Sequence, residues 1–212
     1  MTGVRLLLAD DHKLVLESFK ALLEPEFTVI GTVCDGRELL NVAPALKPDV
    51  ILLDICMPML NGLEAAQQIK KLLPGVKLVF LTMSPDPDLA REALRAGASG
   101  YVLKSCAAAE LTRAVRESMK GRKYVTPLLQ PALTEAWIDD PAGTKAHHTL
   151  TPRQREVLQL LAEGRSMKQV ADILNVAPRT IAYHKYRMMA DLKIKSTAEL
   201  IQYAVRHHVI AN

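Results

Sequence analysis

Three carboxylates, one ammonium and one hydroxyl stand where short apolar runs of this chain stop. Asp10 and Asp11 follow the run Arg5 to Ala9, and Asp54 closes the run Val50 to Asp54. Thr82 closes Lys77 to Thr82, and Lys104 closes Gly100 to Lys104. Carboxylates crowded together repel one another, and a hard divalent cation with oxygen ligands is the usual relief. If the acids converge, Mg²⁺ (or Mn²⁺) is implied. Lys104 and Thr82 would then bring an ammonium and a hydroxyl to the same pocket.

Convergence depends on the elements that carry these groups. The apolar runs at 5–9, 28–33, 50–54, 77–82 and 100–104 are rich in Val, Ile and Leu and read as strands. Helix-length amphipathic segments lie between and after them, at 13–23, 37–46, 63–73, 88–96 and 108–120. Strand then helix, repeated five times, predicts an α/β fold: a five-stranded, doubly wound parallel sheet covered on both faces. With strand order 2-1-3-4-5 the first and third strands are neighbours, so Asp10, Asp11 and Asp54 meet at the carboxyl ends, where such sheets place their working sites.

These residues resemble a response-regulator receiver domain, which implies a flavodoxin-like sheet. The resemblance rests on Asp10-Asp11, the segment D-I-C-M-P-M-L-N-G-L-E from Asp54 to Glu64, Thr82, and Y-V-L-K from Tyr101 to Lys104, and it covers roughly residues 4–122. It implies that Asp54 is the phosphoacceptor, that Asp11 and Asp54 ligate the metal directly, that Asp10 does so through water, and that the carbonyl of Cys56 adds a ligand. It also implies that Thr82 closes on the phosphoryl group while Tyr101 rotates inward. The chemistry suits the residue types: a carboxylate can attack phosphorus to give an acyl phosphate, with cationic groups neutralising the transferring oxygens. The implied donor is a phosphohistidine on a cognate sensor histidine kinase. Ser105 after Lys104, where many receivers have proline, resembles the NarL/FixJ branch.

Beyond Gly121 the periodicity fades. Pro127, Pro131, Pro141 and Gly143 mark residues 123–148 as a linker, with a short helix at 133–138 that would dock Trp137. From residue 149 no strand pattern returns. Residues 150–212 hold 10 Lys/Arg against 5 Asp/Glu, so the chain's positive excess, +4 overall, is concentrated there. A small basic helical domain makes double-stranded DNA the first partner to consider.

The segments L-T-P-R-Q-R-E-V-L-Q-L-L-A-E-G from Leu150, S-M-K-Q-V-A-D-I-L from Ser166 and R-T-I-A-Y-H from Arg179 resemble the LuxR-type helix-turn-helix. In that reading Thr151 and Ser166 cap the first two helices and 178–192 is the recognition helix. At 100° per residue, Ile181, Met188 and Leu192 share the inner face. Arg179, Ala182, Tyr183 and Tyr186 then face bases, while Lys168, Thr180, Lys185 and Lys195 suit phosphate.

Apolar residues make up 49% of the 212 and charged residues 24%, which excludes disordered and low-complexity classes. Three scattered cysteines argue against a disulfide framework or zinc cluster. No run approaches the ~18 apolar residues of a membrane span, so the expected location is cytoplasmic, with no membrane partner. The reading is a regulator rather than an enzyme: a receiver at 1–122, a linker at 123–148 and a DNA-binding domain at 149–212. Phosphorylation would favour a homodimer and free the recognition helix. One rival is a phosphorylation-independent DNA-binding protein that uses its receiver as a dimerisation scaffold. Another is an aspartyl-phosphate hydrolase, which usually carries a second acid two residues after the nucleophile, where this chain has Cys56.

Overall fold

The computed structural model describes residues 3–105, 108–139 and 150–210. Strands β1 (Arg5–Ala9), β2 (Thr28–Val33), β3 (Val50–Asp54), β4 (Lys77–Thr82) and β5 (Gly100–Leu103) alternate with helices α1 (Lys13–Leu23), α2 (Gly36–Leu46), α3 (Gly62–Leu72), α4 (Pro87–Arg95) and α5 (Ala108–Met119). All strand pairs are parallel, and the order β2-β1-β3-β4-β5 is the one that brings the acids together. Side chains alternate between the two faces of the sheet. Leu7, Ile51, Leu53 and Phe80 enter the core on one face, and Leu6, Leu8, Leu52, Val79 and Leu81 enter the core on the other. Burial of each such side chain contributes roughly 1.5–3 kcal/mol. This double burial explains why the central strands read as unbroken apolar runs.

The sheet has a sixth strand, β6 (Tyr124–Val125), inside the stretch read as linker. It pairs with β5, and the Thr126 hydroxyl accepts a hydrogen bond from the Leu103 amide at 3.1 Å. Two residues are too few to show a period of two, so the pattern gave no warning. A single 3₁₀ turn (Pro127–Leu129) follows, then α6 (Gln130–Asp139), four residues longer than the expected 133–138. Leu129 and Leu133 of this segment join the core that contains α4. The Arg95 guanidinium lies 5.1 Å over the Trp137 ring, so the tryptophan docks on α4 by a cation–π contact.

Helices α7 (Pro152–Ala162), α8 (Met167–Ile173), α9 (Pro178–Asp191) and α10 (Thr197–Arg206) enclose a separate core with Val157, Leu158, Leu160, Val170, Ile181, Met188 and Leu200. Thr151 with Gln154 and Ser166 with Gln169 form complete capping boxes at α7 and α8. Ala177 gives α9 no side-chain cap, and Pro178 opens its first turn. Among the described residues no helix is long and apolar enough to cross a membrane.

Candidate functional site

The ends of β1, β3, β4 and β5 form one pocket. Asp10 and Asp54 are buried there, and the Lys104 ammonium lies 2.7 Å from Asp10 Oδ2 and 3.0 Å from Asp54 Oδ2. Although β5 ends at Leu103, one residue before the expected end, the Lys104 amide donates to the Thr82 carbonyl at 2.8 Å and keeps the lysine in line with β4. Burial pushes the Asp54 carboxyl above the ordinary carboxylate range, against the pull of Lys104. Burial also works against the charged lysine, yet Asp54 and Asp10 together more than offset it and hold the ammonium above its usual value. The pocket therefore stores two partly desolvated carboxylates against one cation.

Asp11 is partly exposed at the rim, and His12 Nδ1 lies 2.7 Å from its carboxylate. Ligand atoms of Asp10, Asp11 and His12 lie within 4.8 Å of one another, a grouping compatible with a divalent cation. Asp54 reaches this group through the lysine, which bridges it to Asp10. Burial first, and then the charge of Asp54, push the Cys56 thiol up to about 12, so it keeps its proton at neutral pH. The position two residues after Asp54 therefore carries a thiol and no carboxyl.

Gly62 explains the shape of the loop after β3. A Cβ placed there would come 2.0 Å from the Asp54 carbonyl oxygen, so only glycine lets α3 start against the strand that ends in Asp54. Thr82 is buried beside the acids, and its Oγ1 accepts from the Ser84 amide at 3.1 Å. Tyr101 is fully buried, and its hydroxyl donates to the Ser84 carbonyl at 3.1 Å. Tyr101 thus points inward in this structure.

Outside the pocket, the second domain docks on the loop after β3 and on α3 and α4 through contacts that sequence reasoning did not reach. Gln159 on α7 donates to the Met57 carbonyl at 2.8 Å and accepts from the Asn61 amide at 2.6 Å. Arg155, one turn earlier, lies 2.7 Å from Glu64 and 3.1 Å from Glu92. Burial pushes the Glu64 carboxyl up to about 7 in spite of Arg155. The available signal was the pair Arg155 and Gln159, polar residues one helical turn apart on a helix otherwise rich in leucine. The side chain of Asn61, which also caps α3, donates to the carbonyls of His208 and Val209 at 2.8 and 3.2 Å.

The outer face of α9 lies open. Tyr183 and Tyr186 are 63% and 61% exposed, and Arg179 is exposed beside them. Ala182 and Thr180 are half-buried, Lys185 lies near the Tyr186 ring, and Lys168 and Lys195 are exposed on flanking segments. Ile181 and Met188 are fully buried and Leu192 partly so, as the helical angles require. In this arrangement of the two domains the outer face of α9 is uncovered.

Comparison with known proteins agrees with both halves. Residues 6–116 match the response regulator receiver domain, and residues 148–204 match the bacterial regulatory proteins of the luxR family. The chain belongs to the response regulators. Over 209 residues it is 33% identical to the transcriptional regulatory protein LiaR of Bacillus subtilis, covering 98% of this chain and 99% of that protein. RcsB of Salmonella enterica serovar Typhimurium, solved on promoter DNA with the phosphomimetic BeF₃⁻, is 28% identical with a TM-score of 0.66, covering 96% of this chain and 99% of the other. Another RcsB structure, of two dimers bound to two parallel DNAs, is 28% identical with a TM-score of 0.60, covering 95% and 97%. In this response regulator the receiver precedes the luxR-type domain.

Proposed function

We propose that this response regulator is a transcription factor whose DNA binding and dimerisation are controlled by a phosphoryl group on Asp54. The observation that carries the reading is the placement of Lys104, within 3.0 Å of both Asp10 and Asp54 and in a pocket shared with Thr82. One Asp54 oxygen attacks phosphorus, and the ammonium of Lys104 neutralises the charge gathered on the phosphoryl oxygens. The other oxygen, Oδ1, is held by the Ile55 amide at 2.8 Å, which fixes the direction of attack. Thr82 is placed to donate its hydroxyl to the transferred group.

The oxygen-rich donor set of Asp10 and Asp11, with Asp54 and the Cys56 carbonyl, suits a hard divalent ion such as Mg²⁺. Bound there, the ion would supply further positive charge for the transferring oxygens. The phosphoryl source is the phosphohistidine of a sensor kinase. The outer face of α9, with Arg179, Ala182, Tyr183 and Tyr186, reads bases in the major groove, and Lys168, Thr180, Lys185 and Lys195 take phosphates. A DNA partner places the protein in the cytoplasm. The domain limits that go with this reading are 1–122, 123–148 and 149–212.

The test is mass measurement after incubation with acetyl phosphate and Mg²⁺. The native chain gains one phosphoryl group and Asp54→Asn gains none; equal masses overturn the reading. The exposure of Tyr183 and Tyr186 favours a second reading, in which DNA binding needs no phosphorylation and the receiver serves only to dimerise. Equal DNA affinity before and after phosphorylation would support it.

A further inference from the structure

The last turn of the DNA-binding domain roofs the pocket that holds Asp54. A cavity of about 330 Å³ has Asp54, Thr82 and Lys104 on its floor and Val205, His208 and Ile210 of the C-terminal domain on its other side. Asn61 ties this turn down through the carbonyls of His208 and Val209, and the Arg155 and Gln159 contacts hold α7 behind it. The remaining side of the cavity lies between His12 and Met83, whose side chain and residue are 66% and 71% exposed.

Resting on the reading of Asp54 as phosphoacceptor, we propose that the docked DNA-binding domain selects the phosphodonor by size. Small acyl phosphates and phosphoramidates reach Asp54 past His12 and Met83. Phosphohistidine carried on a protein helix is kept out until the domain lifts.

The covering turn decides between the donors. Acetyl phosphate has eight heavy atoms, and at the roughly 30 Å³ that a water occupies in the liquid it needs about 240 Å³ at most. A helix is about 10 Å across with a pitch of about 5.4 Å, so one turn alone fills roughly 420 Å³. The cavity has room for the first, while Val205, His208 and Ile210 occupy the side from which the second would have to approach. A histidine side chain extending from such a helix must still bring its ring nitrogen to the Asp54 oxygen, and the roof stands in the way of the helix behind it.

The chemistry is the same for every donor. A bond forms between an Asp54 carboxylate oxygen and phosphorus while the donor's P–O or P–N bond breaks. The bonding pair leaves on acetate oxygen, or on nitrogen that takes a proton from solvent. Only access differs. The docking leaves α9 uncovered, so the contact controls who may phosphorylate the chain rather than whether its recognition face can meet DNA.

The experiment compares two donors on the full chain, phosphoramidate and a histidine phosphotransfer domain carrying phosphohistidine. The chains are wild type, Arg155→Ala, Gln159→Ala and Arg155→Lys, with circular dichroism to confirm folding. Neither Arg155 nor Gln159 lines the pocket or the outer face of α9. Both alanine variants are expected to gain about tenfold or more in rate with the protein donor, as the lifted population grows, and to stay within about twofold with phosphoramidate. Arg155→Lys, which keeps a cation for Glu64 and Glu92, is expected to restore part of the block.

Equal acceleration with both donors, or no gain with the protein donor in either alanine variant, overturns the proposal while leaving Asp54 as the acceptor. Failure of phosphoramidate to modify any chain, or modification that survives Asp54→Asn, overturns the underlying reading instead.

Discussion

Replacing Lys104 by methionine removes an ammonium that contacts both buried acids and keeps most of the side chain's volume. At separations of 2.7 and 3.0 Å, each contact is worth roughly 5–6 kcal/mol at an effective dielectric of about 20. The cost of burying the lysine, whose side chain is only 9% exposed, disappears with it, so the full Coulomb sum is not lost. What remains is an uncompensated pair of buried carboxylates, and removing one partner of a buried pair costs about 3–5 kcal/mol. For a receiver of this size that is a fall of about 10 °C or more in Tm. Trp137, the only tryptophan, sits on α4 beneath Arg95, so its fluorescence reports unfolding of the receiver and not of the helical domain. Equilibrium urea titration at neutral pH should show the lower midpoint, and added Mg²⁺ should recover more stability in the variant than in wild type. A variant within about 0.5 kcal/mol of wild type would refute the reasoning, because the two acids could then not both be charged and dependent on the lysine.

Burial raises the Glu64 carboxyl to about 7 from an ordinary 4.5, with Glu92 and Glu156 adding to the rise and the contact with Arg155 opposing it. A carboxyl whose folded value is raised favours docking when protonated, so this contribution is complete below about pH 4.5 and is lost as pH rises through about 7. Interdomain energy transfer between dyes on the two domains should therefore weaken between pH 6 and 8, and Glu64→Gln should flatten the change; an unchanged slope contradicts the assignment. Gly62→Ala forces a Cβ onto the Asp54 carbonyl oxygen, so the loop must move. A loss of about 2–4 kcal/mol in urea unfolding, with slower phosphorylation by acetyl phosphate, is the expected result. Tyr186→Ala should reduce discrimination among DNA sequences by about 1–3 kcal/mol in competition binding, whereas Lys168→Ala should weaken all sequences alike and reduce the salt slope by about 0.9.

The elements that carry the acids were legible because parallel strands buried on both faces must be apolar throughout, and Asp54 and Thr82 end those runs abruptly. The angular sorting of α9 was legible for a similar reason: Ile181 and Met188 recur with the helical period. Other features lie beyond what a periodicity can carry. The two residues of β6 are held by pairing with β5 and by Thr126, contacts that leave no pattern in a short segment. Docking between domains rests on a few polar contacts, such as Asn61 with the His208 carbonyl and Gln159 with the Met57 carbonyl, between residues far apart in the chain. A backbone carbonyl has no sequence signature, so His208 gave no sign of lying over Asp54.

The account turns on whether a phosphoryl group on Asp54 changes how tightly α9 holds DNA. The direct measurement is the affinity of the full chain for a DNA site selected from random sequence, at fixed salt, with and without stable phosphorylation and with Asp54→Asn alongside. Tighter binding by the phosphorylated chain, absent in Asp54→Asn, is the predicted result. Identical affinities in all three preparations would contradict the account.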